Sequence, residues 1–136
     1  MANKIRNRGA LTSHGDRASR EIVLTITEKM LERADGYRRI KSMMSRSGPL
    51  LTIGERTWDL SKKRRVYLIG AGKACNAMAM AVEEILGDYL TKGIIIVKIR
   101  EDTDRFVKTE VHVGGHPLPN ESGVAGCRRI LELVEE

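Results

Sequence analysis

VYLIGAGKACNAMAMAVEEILG, residues 66–87, decides how the rest of the chain is read. The run Val66 to Ile69 has the length and character of a strand, and it stops at Gly70, Ala71 and Gly72 with Lys73 next. From there Ala74, Ala77, Met78, Ala81, Val82 and Ile85 recur at the three- and four-residue steps of an amphipathic helix, and Gly87 is placed to end it. The small residues on that stripe let a helix lie close against a sheet, with Met78 and Met80 as core filler. Strand, glycine loop and helix start together favour an anion. Glycines let the backbone approach a ligand, the first helical amides and the positive dipole end point at it, and Lys73 adds a full charge. The plainer alternative is a tight turn with Lys73 solvated, although lysine at a helix start is electrostatically disfavoured.

Spacing separates the motifs that share this outline. A nucleotide P-loop requires GxxxxGK followed by Ser or Thr, but Tyr67 and Leu68 stand where its first glycine belongs and Ala74 follows Lys73. A dinucleotide fingerprint requires GxGxxG and an acid ending the second strand; Cys75 occupies the third glycine position and the second strand runs through Lys98. Both readings fail, which leaves the general anion physics of Gly70, Ala71, Gly72 and Lys73. Cys75, in the first helical turn beside a lysine, has the setting for some thiolate character; packing of a small residue is the ordinary account.

Working outward, Ile94 to Ile99 is apolar except for Lys98, the pattern of a strand covered on both faces of a parallel sheet. Strand, helix and strand make one βαβ unit, expected to be right-handed. The charged segment Arg100 to Arg105 leads to a third strand, Lys108 to Val113, then to a rigid Gly114-Gly115-His116-Pro117-Leu118-Pro119 turn. Asn120 is the expected cap of a last helix carrying Val124, Cys127, Leu131 and Val134. His116 follows a parallel strand, where the crevices of such sheets form, and is suited to donate to a carboxylate or phosphate; a hydrogen-bonded turn former is the alternative. His112 and His116 do not make a zinc site, since Gly114-Gly115 breaks the strand between them and no third ligand is evident.

Toward the amino terminus, an amphipathic helix from Asp16 carries Val23, Ile26, Met30, Ala34 and Tyr37 on its apolar side, broken at Gly36. A second short helix is expected through Ile40 and Met44, ending near Ser47-Gly48-Pro49, then a small hairpin around Gly54 with Trp58 as its hydrophobic plug. Residues 1–15 are basic and aperiodic, a flexible arm that docks on the domain formed by residues 16–136. The resulting fold class is α/β, a Rossmann-like parallel sheet with flanking helices. A helix after a third strand normally returns to a further strand, so the architecture reads as incomplete.

With 136 residues the chain builds one core, and a function needing a second lobe must borrow it. The net charge of +6 is front-loaded, but the cations are not interleaved with stacking aromatics, which argues for solvated helix faces over nucleic-acid binding. No stretch approaches the apolar length of a membrane span or a secretory leader, so a cytoplasmic location is expected, with Cys75 and Cys127 as reduced thiols.

The segments SHGDRASREIVLTITEKML, VYLIGAGKA, MAVEEILGD, KGIIIVK and GGHPLPNESGVAGCRRILEL resemble, in order and spacing, the class II glycerate 2-kinase family, also called MOFRL or DUF4147 and often labelled hydroxypyruvate reductase. The likeness covers residues 12–136. It implies an ATP- and Mg2+-dependent phosphotransferase acting on the 2-hydroxyl of D-glycerate, a small-molecule substrate, in a cleft between two α/β domains. By the resemblance Lys73 is the catalytic lysine, neutralising charge on the phosphoryl group or the substrate carboxylate; Gly70, Ala71 and Gly72 shape its loop, and His116 lies in the matching HPxP turn. The family's Gly/Ser-rich loop of SGGGS type, which looks like a nucleotide-phosphate cradle, is not in this sequence. The chain therefore reads as the incomplete first domain of a two-domain kinase, inactive alone, with an exposed sheet edge open to a homo-oligomer. A sugar-phosphate isomerase-like or regulatory anion-binding domain, and a non-catalytic fragment, remain as alternatives.

Overall fold

The computed structural model describes residues 4–101 and 105–136. In chain order the elements are α1 (Arg8–Leu11), α2 (Arg17–Arg33), α3 (Gly36–Met43), β1 (Met44–Ser47), β2 (Leu50–Ile53), β3 (Arg56–Asp59), β4 (Tyr67–Ala71), α4 (Cys75–Leu86), β5 (Lys92–Val97), β6 (Thr109–Val113) and α5 (Glu121–Glu135). Strands β4, β5 and β6 form a parallel sheet in that order, pairing Ala71 with Ile96 and Val97 with Val113. This is the α/β arrangement expected from the sequence. No helix among the described residues is long and apolar enough to cross a membrane.

The central strand is covered from both sides because its residues alternate between two helices. Ile95 and Val97 meet Ala79 of α4 in a core that also takes Leu68, Cys75, Phe106 and Val111. Ile96 faces α5, where a Cβ added at Gly126 would lie 2.9 Å from its side chain and 3.0 Å from His112. Ile94 and Ile95 are both 0% exposed. Burial of this kind stabilises by about 1.5–3 kcal/mol per large aliphatic side chain.

Helix α4 is wedged between the sheet and a second layer. Val82 and Ile85 join a core of Met44, Leu51, Leu60, Leu86 and Leu90 that ties α4 to the antiparallel strands. Helix α3 crosses so closely that a Cβ on Gly36 would stand 2.8 Å from Met78, and the Tyr37 hydroxyl and Lys41 ammonium donate to Glu84 at 2.5 and 2.8 Å. Two polar side chains of α4 are buried as well: Asn76 at 2% and Glu83 at 9% exposure. The Glu83 carboxylate accepts from the amides of Val107 and Lys108 at 2.6 and 3.0 Å and from the Thr109 hydroxyl. The Lys108 ammonium donates in turn to the carbonyls of Gly87, Asp88 and Leu90 at 3.2, 3.2 and 2.9 Å, satisfying acceptors just past the helix end.

The amino-terminal half departs from expectation in three places. The second helix stops at Met43, and Met44–Ser47 instead pairs with β2, giving a three-stranded antiparallel sheet β1-β2-β3 where a two-stranded hairpin was expected. A strand turns Met44 toward Leu51, both 7% exposed, while its polar neighbours face water. Trp58 is 37% exposed and is not the plug of that sheet; Met44, Leu51 and Leu60 are. Helix α2 forms with Asp16 as its cap, yet none of its residues is buried, and Val23, Ile26 and Met30 are 60, 54 and 65% exposed.

Residues 4–15 lie along α2 and α3: Arg8 donates to the Glu21 carboxylate at 2.9 Å and the Thr25 hydroxyl at 2.8 Å, and Lys4 pairs with Asp35 at 2.8 Å. The first three residues of the expected arm, and residues 102–104 of the charged loop, fall outside the described residues.

Candidate functional site

At the carboxyl ends of β4, β5 and β6 a cleft of about 370 Å³ is lined by Ala71, Gly72, Lys73, Ile96, Val97, Lys98, Gly114, Gly115 and His116. The structure therefore brings the Lys73 loop and the His116 turn, separated in sequence, onto one opening. This is the position at which parallel sheets hold their ligands.

Each wall has a local cause. Gly72 takes φ +130°, a backbone conformation that L side chains rarely adopt, and its amide donates to the Ile96 carbonyl at 2.9 Å, turning the chain back over β5. Helix α4 begins at Cys75, two residues later than the lysine, so Lys73 belongs to the turn and not to the helix. On the far side the Gly114 amide donates to the Val97 carbonyl at 2.8 Å. A Cβ on Gly115 would stand 2.2 Å from the Leu118 carbonyl oxygen, which reserves that position for glycine. The Asn120 side chain accepts from the amides of Gly115 and Gly123, both at 2.9 Å, so one carboxamide caps α5 and fixes the turn.

Two of the sequence-derived residues have different reasons from those expected. Gly70 lies in β4, outside this cleft, and a Cβ there would meet the Cys75 sulfur at 2.5 Å; it makes room for packing. Burial pushes the Cys75 thiol above its ordinary pKa, opposite to the thiolate character its place beside Lys73 suggested. Ala71, Gly72 and Lys73 also border a second cleft of about 380 Å³ against Ile40, Met78 and Val82, so the lysine loop is a ridge between two depressions. A wider hollow of about 640 Å³ runs along α5, with Glu121 and Arg128 on its wall.

Sequence reasoning missed one residue lining the cleft and one buried residue that supports it. Lys98, the first residue past β5, opens into it beside Lys73. Asn76 donates to the Ile99 carbonyl at 2.8 Å and so ties the chain just beyond Lys98 to the first turn of α4, while its own carbonyl oxygen has no partner among the described residues. The signal for Lys98 was present, as the single charge in an apolar run; Asn76 gave none.

The donor set suits the charged end of a small molecule. No Phe, Tyr or Trp among the described residues lines the cleft to hold a base, and no carboxylate among them lines it. Among the described residues no group of three His, Cys, Asp or Glu is arranged to hold a metal ion.

The profile of the DUF4147 family, described as a domain of unknown function, matches residues 22–136. The chain belongs to that family. Among curated relatives of this DUF4147 chain, the D-glycerate 2-kinase of Thermotoga maritima is 38% identical over 72 residues, 53% of this chain and 17% of that protein. The glycerate 2-kinase of Pyrococcus horikoshii is 28% identical over 115 residues, 85% of this chain and 25% of the relative. Human glycerate kinase is 38% identical over 101 residues, covering 65% and 19%. A crystal structure of a Pyrococcus horikoshii protein superposes with a TM-score of 0.73 at 27% identity, covering 87% of this chain and 26% of that one. The Thermotoga maritima glycerate kinase structure, at 24% identity and a TM-score of 0.64, shares the fold over 86% of this chain and 25% of its own. The DUF4147 chain thus spans 17–25% of the length of these curated relatives.

Proposed function

We propose that the protein is a glycerate 2-kinase of the cytoplasm and that this chain, from residue 16 onward, forms the beginning of its first α/β domain. In the reaction the bond from the terminal phosphorus of ATP to its bridging oxygen breaks and ADP leaves with that oxygen, a bond from that phosphorus to the 2-oxygen of D-glycerate forms, and the hydroxyl proton passes to solvent water. The observation that carries the reading is the meeting of Lys73 and His116 across one glycine-walled cleft at the strand ends.

Lys73 has no ion pair among the described residues, so its charge is available to the ligand. Its ammonium compensates negative charge on the transferring phosphoryl oxygens, which is the main way a protein accelerates this chemistry. The Gly72 turn places that ammonium without a side chain of its own in the way. His116 offers a ring N–H to a carboxylate or phosphoryl oxygen. ATP supplies the phosphoryl group; the nucleotide and Mg2+ belong to parts of the kinase other than these residues, as the lining of the cleft supports.

The test is glycerate-dependent ADP release by the full-length protein bearing Lys73→Ala. Turnover is expected to fall at least about 100-fold, the scale of one lost electrostatic contact to the transition state, with an unchanged far-UV circular dichroism spectrum. Activity retained in that variant overturns the role of Lys73.

A further inference from the structure

The cleft contains a second cation that the resemblance did not assign. The parallel strands pair Ala71 with Ile96 and Val97 with Val113, so Lys73, Lys98 and Gly114 all lie just past the strand ends, and all three line one cleft. Lys98 is exposed and lines the same opening as Lys73 and His116. Of the four lysines after residue 66, Lys92 pairs with Glu110 and Lys108 with Asp88, whereas Lys73 and Lys98 pair with no acid among the described residues.

The backbone carrying Lys98 is held on both sides. The amide of Gly114 donates to the carbonyl of Val97 at 2.8 Å, and the 2%-exposed Asn76 side chain donates to the carbonyl of Ile99 at 2.8 Å. A lysine on a clamped strand end is a placed charge, unlike one on a free loop. Gly114, just past β6, contributes bare backbone to the lining, since a Cβ there would stand 2.8 Å from Ile96. Two uncompensated ammonium groups on one small cleft repel each other until an anion lies between them. A ligand with two separate anionic groups satisfies both, and a single phosphate needs only one.

We infer that Lys98 binds the carboxylate of a small 2-hydroxy acid in this cleft while Lys73 faces the phosphoryl group, making Lys98 the residue that selects an acid over a neutral polyol. The inference rests on the kinase reading for the role of Lys73, but the carboxylate contact of Lys98 is tested separately.

The full-length protein, uniformly labelled with nitrogen-15, is titrated with inorganic phosphate, D-glycerate and 2-phospho-D-glycerate, and amide shifts of residues 70–76, 96–99 and 114–116 are followed. The same titrations use Lys73→Gln and Lys98→Gln, whose spectra also report folding. Lys98→Gln is expected to weaken D-glycerate and 2-phospho-D-glycerate by about tenfold or more, the scale of one lost charge-assisted hydrogen bond, and inorganic phosphate far less. Lys73→Gln is expected to weaken the two phosphate-bearing probes. If Lys98→Gln binds D-glycerate as the wild type does while Lys73→Gln loses phosphate, the Lys98 assignment is overturned and the kinase reading stands. If Lys73→Gln changes nothing but Lys98→Gln loses glycerate, the carboxylate site stands and the role of Lys73 falls. No shift in the wild type with any probe at millimolar concentration overturns both.

Discussion

Helices α2 and α4 have the same kind of apolar periodicity and opposite fates. In α4, Ala81 of the stripe is 0% exposed and its neighbours Ala79 and Leu86 are 2 and 3%, Ala79 against the parallel sheet and Leu86 in the core with Met44 and Leu51. Met78 is left 41% exposed and is not the core filler expected. In α2 the equivalent residues Val23, Ile26 and Met30 face outward, and the helix is held by its Asp16 cap and by ion pairs to residues 4–15. Periodicity thus fixes which side of a helix is apolar. Whether that side is buried depends on a partner elsewhere in the chain or in the larger protein.

Mutations convert that contrast into numbers. The largest effect is expected at the strand beneath α4: Ile95→Ala removes a fully buried side chain and should destabilise by about 2–5 kcal/mol in urea unfolding. A loss below 1 kcal/mol would mean that this core is far looser than its contacts indicate. Next comes Glu83→Ala, which strips the acceptor from two backbone amides and the Thr109 hydroxyl and is expected to cost about 1–3 kcal/mol, with faster hydrogen exchange at Val107 and Lys108.

Smaller again is Asp35→Asn at the start of α3. The Lys4 hydrogen bond, then the Arg38 amide, hold the Asp35 carboxyl below its ordinary pKa. A folded pKa lower than the unfolded one adds stability above the unfolded value and loses it as pH falls through the folded value. The wild type should therefore lose stability on acidification below about pH 4, and the Asn variant should lose less, as thermal unfolding across that range will report. The smallest effect is expected for Ile26→Ala on α2, within about 0.5 kcal/mol in this chain. A cost near that of Ile95→Ala would place an unseen partner on α2.

What the sequence made legible was local. The βαβ pattern, the start of a helix at Asp16, the Asn120 cap, the end of α4 at Gly87 and the two loops of the cleft all follow from neighbouring residues or short spacings. Met44–Ser47 was misread because its strand character comes from pairing with β2 and not from its own polar sequence. Asn76 and Glu83 could not be singled out from the sequence, since their partners Ile99 and Val107 to Thr109 lie in other elements. Gly70 was read as an approach route for a ligand because the nearness of the Cys75 sulfur is a three-dimensional fact.

The reach of Lys108 over the carbonyls of Gly87, Asp88 and Leu90 has a temporal side. Those oxygens precede their donor in the chain, so during synthesis they meet water first and the ammonium only when β6 emerges. The far tip of α4 and the leading edge of β6 should then behave as a single cooperative clasp, springing open together in rare fluctuations while the strands on either side stay shut.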